Sequence, residues 1–466
     1  MQPVALQPTR RTRRCMPKVR SGCATCKIRH VKCDETRPSC QRCTRTGRQC
    51  PGYPEPKPSA SSVQIYNLPF KVPGSRKHRE LLHFYCSEAA QTLARFTDPT
   101  LWTRLILQRS QHQPVVRNAL VTLSALYRDY LVSGPVRTPS HLQMMFNSHR
   151  QLRLHLLAAD ACPETALLCS LIFYLFECLS GNTAQALWHL DQGLSLLTWC
   201  RDTCSNLSDP DALFPHLRSI YAKLDIHATI YNDSRLPTLQ LPAFPLDSAT
   251  PGLVLPHTFA TYHDANDALT VLQNQTMNHL VHHIELSSDS WTNMSPSLRN
   301  GVIHLDAMFA RYIAATGPLL AKKDPDPRVQ LLQIQATIFR AVLLENVAKA
   351  LPHLSSDAQT LFTDAVDQVE TLLGTCAGVG FTVSTNLVAG LYFICMKTRH
   401  ATVLARALEL LESKRMSRDG LWEVNDAVRV VRAMPFGGGK LEDAGRGIVD
   451  GKGGLEGAVM RLHIAH

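Results

Sequence analysis

The chain has 466 residues, 45% hydrophobic and 19% charged, a composition that excludes wholesale disorder and leaves room for a small module beside one large body. Its formal net charge of +11 is unevenly placed: residues 1–60 hold 14 Lys+Arg against 3 acids, while the other 406 residues hold 35 of each. That division suits a polyanion-binding module joined to an electrostatically neutral body, and neither a secretory signal nor a convincing membrane span is visible.

Residues 1–20 read as a basic disordered arm, with Arg10, Arg11, Arg13, Arg14, Lys18 and Arg20; nuclear import and extra phosphate contact both suit it. Six of the fifteen cysteines then crowd into Cys23–Cys50. Their spacing is C-x2-C-x6-C-x6-C-x2-C-x6-C, two copies of one half-pattern, so a pseudo-twofold arrangement is expected. A two-residue gap lets both thiolates of a pair reach one metal, and six residues of helix bring the third thiolate back. A soft, all-thiolate set selects zinc with no open coordination position. Two tetrahedral ions need eight ligand positions, which six sulfurs fill only if two of them bridge. The other nine cysteines, Cys200 and Cys204 included, are scattered along apolar sequence and read as small buried hydrophobes.

Between Cys26 and Cys33 lie Lys27, Ile28, Arg29, His30, Val31 and Lys32. A helix here presents its cations outward while the metal fixes its base. Arg suits a bidentate grip on guanine O6 and N7 in the major groove. Lys27, Lys32, Arg42, Arg45 and Arg48 suit phosphate contacts, which position a protein on DNA and dominate its affinity.

These residues resemble the fungal binuclear zinc cluster (Zn2Cys6) DNA-binding domain. All six cysteines fall on the family's positions, and Pro38 matches the proline of the loop joining the two halves. The resemblance implies two zinc ions per chain on Cys23, Cys26, Cys33, Cys40, Cys43 and Cys50, with Cys23 and Cys40 bridging. It also implies double-stranded DNA as partner, the residues at the places of Arg29 and His30 meeting bases of a CGG-like triplet. Two adjacent cations are usual there; His30 is a weaker point charge at neutral pH.

A Pro/Ser-rich linker is expected over residues 53–77, with no heptad run for a dimerising coiled coil. From His78 to residue 435 the periodicity is helical, with helices expected over Val115–Tyr130, Leu142–Ala158, Glu164–Ser180, Ala184–Cys200, Asp264–Leu286, Pro296–Thr316, Arg328–Leu351, Ser356–Leu373 and Leu387–Glu412. A long loop is expected near Leu236–His257, and Gly374–Met396 reads as a buried helical segment. Residues 436–466, nine of them glycine, read as a disordered tail. This body resembles the fungal-specific transcription factor regulatory domain through Glu80–Phe96, Leu101–Tyr127, Leu168–Leu197 and Leu391–Val424.

The fold class expected is thus a small zinc-stabilised cluster domain with two short helices (residues 21–52), followed by a large all-α regulatory domain (78–435). No catalytic constellation is visible. Gly437–Lys440 lacks the upstream glycine and following Ser/Thr of a phosphate loop, and His279 and His283 lack a third metal ligand and read as helix surface. The function expected is a nuclear, zinc-dependent, sequence-specific regulator of RNA polymerase II transcription, controlling a metabolic pathway or biosynthetic gene cluster. Transcriptional coregulators and a small-molecule effector are candidate partners, without a membrane. The alternative is a protein-interaction co-regulator whose zinc cluster is purely structural. Activator or repressor, and monomer or dimer, stay open.

Overall fold

The computed structural model describes residues 21–53, 74–135, 137–158, 161–203, 213–232, 235–245, 253–284, 296–347, 353–376, 380–413 and 415–433. The basic arm, most of the linker, the glycine-rich tail and Cys204 lie outside them. The chain divides into two compact units, Met1–Tyr66 and Asn67–His466. The first holds two short helices, α1 (Ala24–Ile28) and α2 (Gln41–Thr44).

The second unit is helical. α3 (Arg76–Phe84) passes through a π turn at Tyr85–Ala89 into α4 (Ala90–Ala94), and another at Leu101–Leu105 leads into α5 (Ile106–His112). There follow α6 (Pro114–Ser133), α7 (Pro139–Leu156), α8 (Pro163–Leu179), α9 (Thr183–Thr203), α10 (Leu213–Tyr231), α11 (Tyr262–Ile284), α12 (Pro296–Leu320), α13 (Pro327–Val347) and α14 (His353–Thr375). Five of these begin on proline, whose fixed φ suits a first helical turn and whose missing N–H is not needed there. α8 carries the apolar run noted in the sequence and is buried from Thr165 to Leu179, packed against α6 and α9. Among the described residues no helix is long and apolar enough to cross a membrane.

Two apolar clusters form, and α13 is the wall between them. Its Leu331, Ile334, Ile338 and Ala341 join the larger cluster. Its Val329, Leu332, Ala336, Leu343 and Val347 join a smaller one built with α11 and α12. A helix that is apolar on both faces is one buried on both sides.

The body closes with β1 (Gly380–Thr382), α15 (Leu387–Lys397), α16 (Ala401–Glu412), β2 (Met416–Asp419), β3 (Trp422–Glu423) and α17 (Val424–Ala433). β2 lies between β1, which it meets in parallel, and β3, which it meets antiparallel. Asp419, fully buried, accepts hydrogen bonds from the Thr382 hydroxyl (2.8 Å), the Thr385 N–H (2.8 Å) and the Thr385 hydroxyl (2.9 Å). His227 of α10 donates from Nε2 to the Asp419 carbonyl at 3.0 Å and meets the Asn386 side chain at 2.6 Å. At Gly420, φ is +55°, and a Cβ would stand 2.6 Å from the Val383 carbonyl and 2.7 Å from His227 Nε2, so only glycine fits this turn.

Several expectations need correction. The small sheet supplements the helices of the regulatory body. Leu387–Glu412 is two helices rather than one, because Gln359 accepts the Arg399 N–H (2.9 Å) and draws Thr398–His400 out of helical register. Gly374–Met396 opens on the last two residues of α14 and is helical again only from Leu387, after β1 and the turn that reaches Asp419. α10 was not anticipated, since Pro215, Arg218, Lys223 and Asp225 interrupt its apolar pattern. His279 is half-buried rather than on the helix surface, its ring standing where a Gly301 Cβ would be.

Replacing Asp419 by Ala strands its buried donors and is expected to destabilise the body by about 2–4 kcal/mol. The helical circular-dichroism signal in a urea titration measures this, and Asp419→Asn should recover part of the loss.

Candidate metal centre and nucleic-acid interface

Apart from Gly22, every buried residue among residues 21–53 is a cysteine. Cys23, Cys26, Cys33, Cys40 and Cys43 are 0–7% exposed, with Cys50 and Tyr53 packed against them. A unit with so little carbon in its core has almost no hydrophobic stabilisation, and metal binding must supply its folding free energy.

The two halves repeat at an offset of 17 residues. Cys23 caps α1 by accepting the Cys26 N–H on its sulfur at 3.4 Å; Cys40 caps α2 by accepting the Cys43 N–H at 3.3 Å. Both helices end in the same double-bonded turn. In the first half the Val31 N–H donates to the Cys26 carbonyl (3.1 Å) and the His30 N–H to Lys27 (3.2 Å); in the second, Arg48 donates to Cys43 (3.0 Å) and Gly47 to Thr44 (3.1 Å). Such a turn needs one left-handed residue. The second half uses Gly47 (φ +63°), whereas the first uses His30 (φ +52°). A side chain there costs about 1 kcal/mol relative to glycine. The helix expected between Cys26 and Cys33 therefore stops at Ile28, and the left-handed turn returns Cys33 to the cluster.

Cys23 Sγ lies 3.7 Å from the sulfurs of both Cys40 and Cys43, and Cys26 Sγ lies 3.7 Å from Cys40 and 3.9 Å from Cys43. Thiolates around tetrahedral zinc, at about 2.3 Å each, stand about 3.8 Å apart. The sulfur of Cys33 lies within 4.8 Å of that of Cys40, and Cys50 accepts the Cys40 N–H at 3.5 Å. All six predicted ligands are thus brought together, and their chemistry and spacing fit zinc. The cluster holds two zinc ions, the metal complement of a binuclear cluster domain.

Burial pushes the Cys23 thiol up to about 12 and raises Cys26 and Cys40 as well. For Cys33, burial is outweighed by the N–H groups of Cys23 and Glu35 and by the Tyr53 hydroxyl, which bring it down to about 7. Zinc must displace protons from the raised thiols, so its affinity falls as pH falls.

Three supporting residues were not anticipated. The Asp34 carboxylate accepts the N–H groups of Gln41 (3.0 Å) and Arg42 (3.1 Å), tying the first half to the start of α2. The Thr36 hydroxyl is its strongest partner and, with those N–H groups, holds the carboxyl well below the usual range. Tyr53 donates to the Thr36 carbonyl (2.8 Å), and Arg37 lies 5.5 Å above its ring. Gly22 leaves room for Cys33, whose Cβ would be 2.9 Å from a Cβ added there. An acid next to a ligand cysteine and an aromatic just past the last one were signals for two of these.

Lys27, His30, Lys32, Arg42, Arg45 and Arg48 are exposed and Arg29 is half-buried. None of the seven side chains forms an ion pair or hydrogen bond among the described residues. Among the described residues nothing neutralises the six Lys and Arg charges.

A chelator is expected to release two zinc ions per chain and to unfold the small unit, leaving the helical signal of the body largely intact. Metal-release titrations at pH 7.5 and 5.5 should show the weaker binding at the lower pH. Replacing His30 by Gly should stabilise the zinc-loaded unit by about 1 kcal/mol, read as a higher denaturant midpoint with unchanged zinc content.

Residues 21–60 match the family model described as the fungal Zn(2)-Cys(6) binuclear cluster domain, and residues 80–301 match the fungal specific transcription factor domain. The chain is 26% identical over 261 residues to the aspercryptin biosynthesis cluster-specific transcription regulator atnN of Emericella nidulans, covering 47% of this chain and 42% of that one. It is 31% identical over 197 residues to the transcription regulator lscL of Purpureocillium lilacinum, covering 37% and 47% respectively. Over 58 residues it is 45% identical to the transcriptional regulatory protein moc3 of Schizosaccharomyces pombe, 12% of this chain and 10% of that one. The matched region thus spans less than half the length of each of these relatives. No solved structure matches the chain. With six sulfurs gathered as this family requires and a helical body on which the second model falls, the chain belongs to the fungal Zn(2)-Cys(6) binuclear cluster proteins that carry a fungal specific transcription factor domain.

Proposed function

We propose that this chain is a nuclear, zinc-dependent transcription factor that binds CGG-like elements in double-stranded DNA and regulates RNA polymerase II transcription of a metabolic pathway or biosynthetic gene cluster. The observation that carries this reading is the set of six Lys and Arg side chains, with His30 among them, that are unpaired among the described residues and surround a cluster whose described core is cysteine. Arg29 is the candidate for a bidentate guanine contact, with His30 beside it. Lys27, Lys32, Arg42, Arg45 and Arg48 are assigned to phosphates, where they set affinity and its salt dependence. Cys23 and Cys40 are assigned as the bridging ligands. In support, Cys40 Sγ is close to the sulfurs of Cys23, Cys26 and Cys33, and its N–H meets Cys50.

The helical body is assigned a regulatory role, receiving coregulators or a small-molecule effector, and no catalytic activity. Relatives named as regulators of transcription, one of them of a biosynthesis cluster, favour this placement.

A random-sequence DNA selection with the full chain tests the reading. A CGG-like triplet should be enriched with zinc and lost with a chelator, and salt-sensitive binding without an enriched sequence would overturn sequence-specific recognition. On the selected site, Arg29→Ala should cost about 1–3 kcal/mol and relax the preference for one guanine, whereas Arg48→Ala should weaken all sequences alike and lower the salt slope by about one. If Arg29→Ala leaves transcriptional regulation intact, the cluster is a structural element of a co-regulator.

A further inference from the structure

Ile28 is the last residue of α1 and is 78% exposed. The helix has five residues and buries only Cys26, and Ile28 has no place in the one core found among the described residues of its unit. It is flanked by Lys27 and Arg29, with His30 and Lys32 just beyond, and the side chains of these four make no ion pair or hydrogen bond among the described residues. A large aliphatic side chain in that position gains nothing in the free protein and loses hydration free energy. The surrounding charge selects a polyanion, which for this unit is the DNA of the proposed function. The one strongly apolar group on the edges of the major groove is the C5-methyl of thymine.

We propose that Ile28 reads sequence, packing on the C5-methyl of a thymine in the same major groove that Arg29 enters. The inference rests on the proposed DNA-binding function and adds a preference at a base pair that the cations do not specify. An Arg or Lys contact distinguishes guanine by its acceptors, whereas an aliphatic contact distinguishes thymine by its methyl alone. Deoxyuridine keeps every hydrogen bond of thymine and lacks only that methyl.

The test uses the full, zinc-loaded chain on its selected duplex, with each thymine replaced singly by deoxyuridine. For the unaltered protein one such replacement should weaken binding about fourfold, the worth of one buried methyl-sized group. For Ile28→Ala the same replacement should change nothing, with zinc content unchanged because the side chain is exposed. Three outcomes overturn the inference: a flat deoxyuridine series, a sensitive thymine equally sensitive in Ile28→Ala, and a selected site without thymine. If selection enriches no sequence, the DNA-reading function itself falls; a specific site with a flat series removes only the role of Ile28.

Discussion

Thiolate–metal bonding is the constraint on which the small unit depends. Among its described residues the buried side chains are its ligands, so they leave no apolar core once the metal is taken away. Hydrophobic burial organises the second unit, where α8 is enclosed along nearly its whole length and α13 serves two clusters at once. The chain thus joins two different solutions to the problem of conformational entropy, one by coordination and one by area. Coordination permits a fold of about thirty residues whose exterior is almost entirely available for cations. An apolar core of that size would need those positions for burial.

The internal repeat sharpens the functional reading. The halves share caps, turns and ligand spacing, so a difference between them is informative. At the left-handed turn the second half has the residue that backbone sterics favour, Gly47, and the first has His30, exposed and unpartnered. A strained position filled by a side chain with no internal role points to an external one.

The cysteine array was legible because ligand spacing is a local property of the sequence, and most helices of the body because apolar periodicity is local too. The residues that support the ligands were legible only in part. Asp34 matters through the N–H groups of α2, seven and eight residues on, and Tyr53 through a carbonyl seventeen residues back; neither spacing has a recurring pattern. The break between α15 and α16 is imposed by Gln359, which no reading of Leu387–Glu412 alone would reveal. The three-stranded sheet escaped notice because its strands have two to four residues, too few to alternate visibly.

The bond between His227 and the Asp419 carbonyl spans 192 residues, and Asp419 in turn secures the start of α15. During synthesis the ribosome releases α10 long before its partner exists. His227 therefore waits without this partner until β2 has emerged. A premature stop codon shortly before residue 416 would remove β2, β3 and α17, leaving His227 without Asp419 and the buried rings of Tyr231 and Tyr392 without Trp422. Such a transcript would produce a substrate for chaperones and proteases, even though every residue of the zinc cluster had been translated correctly.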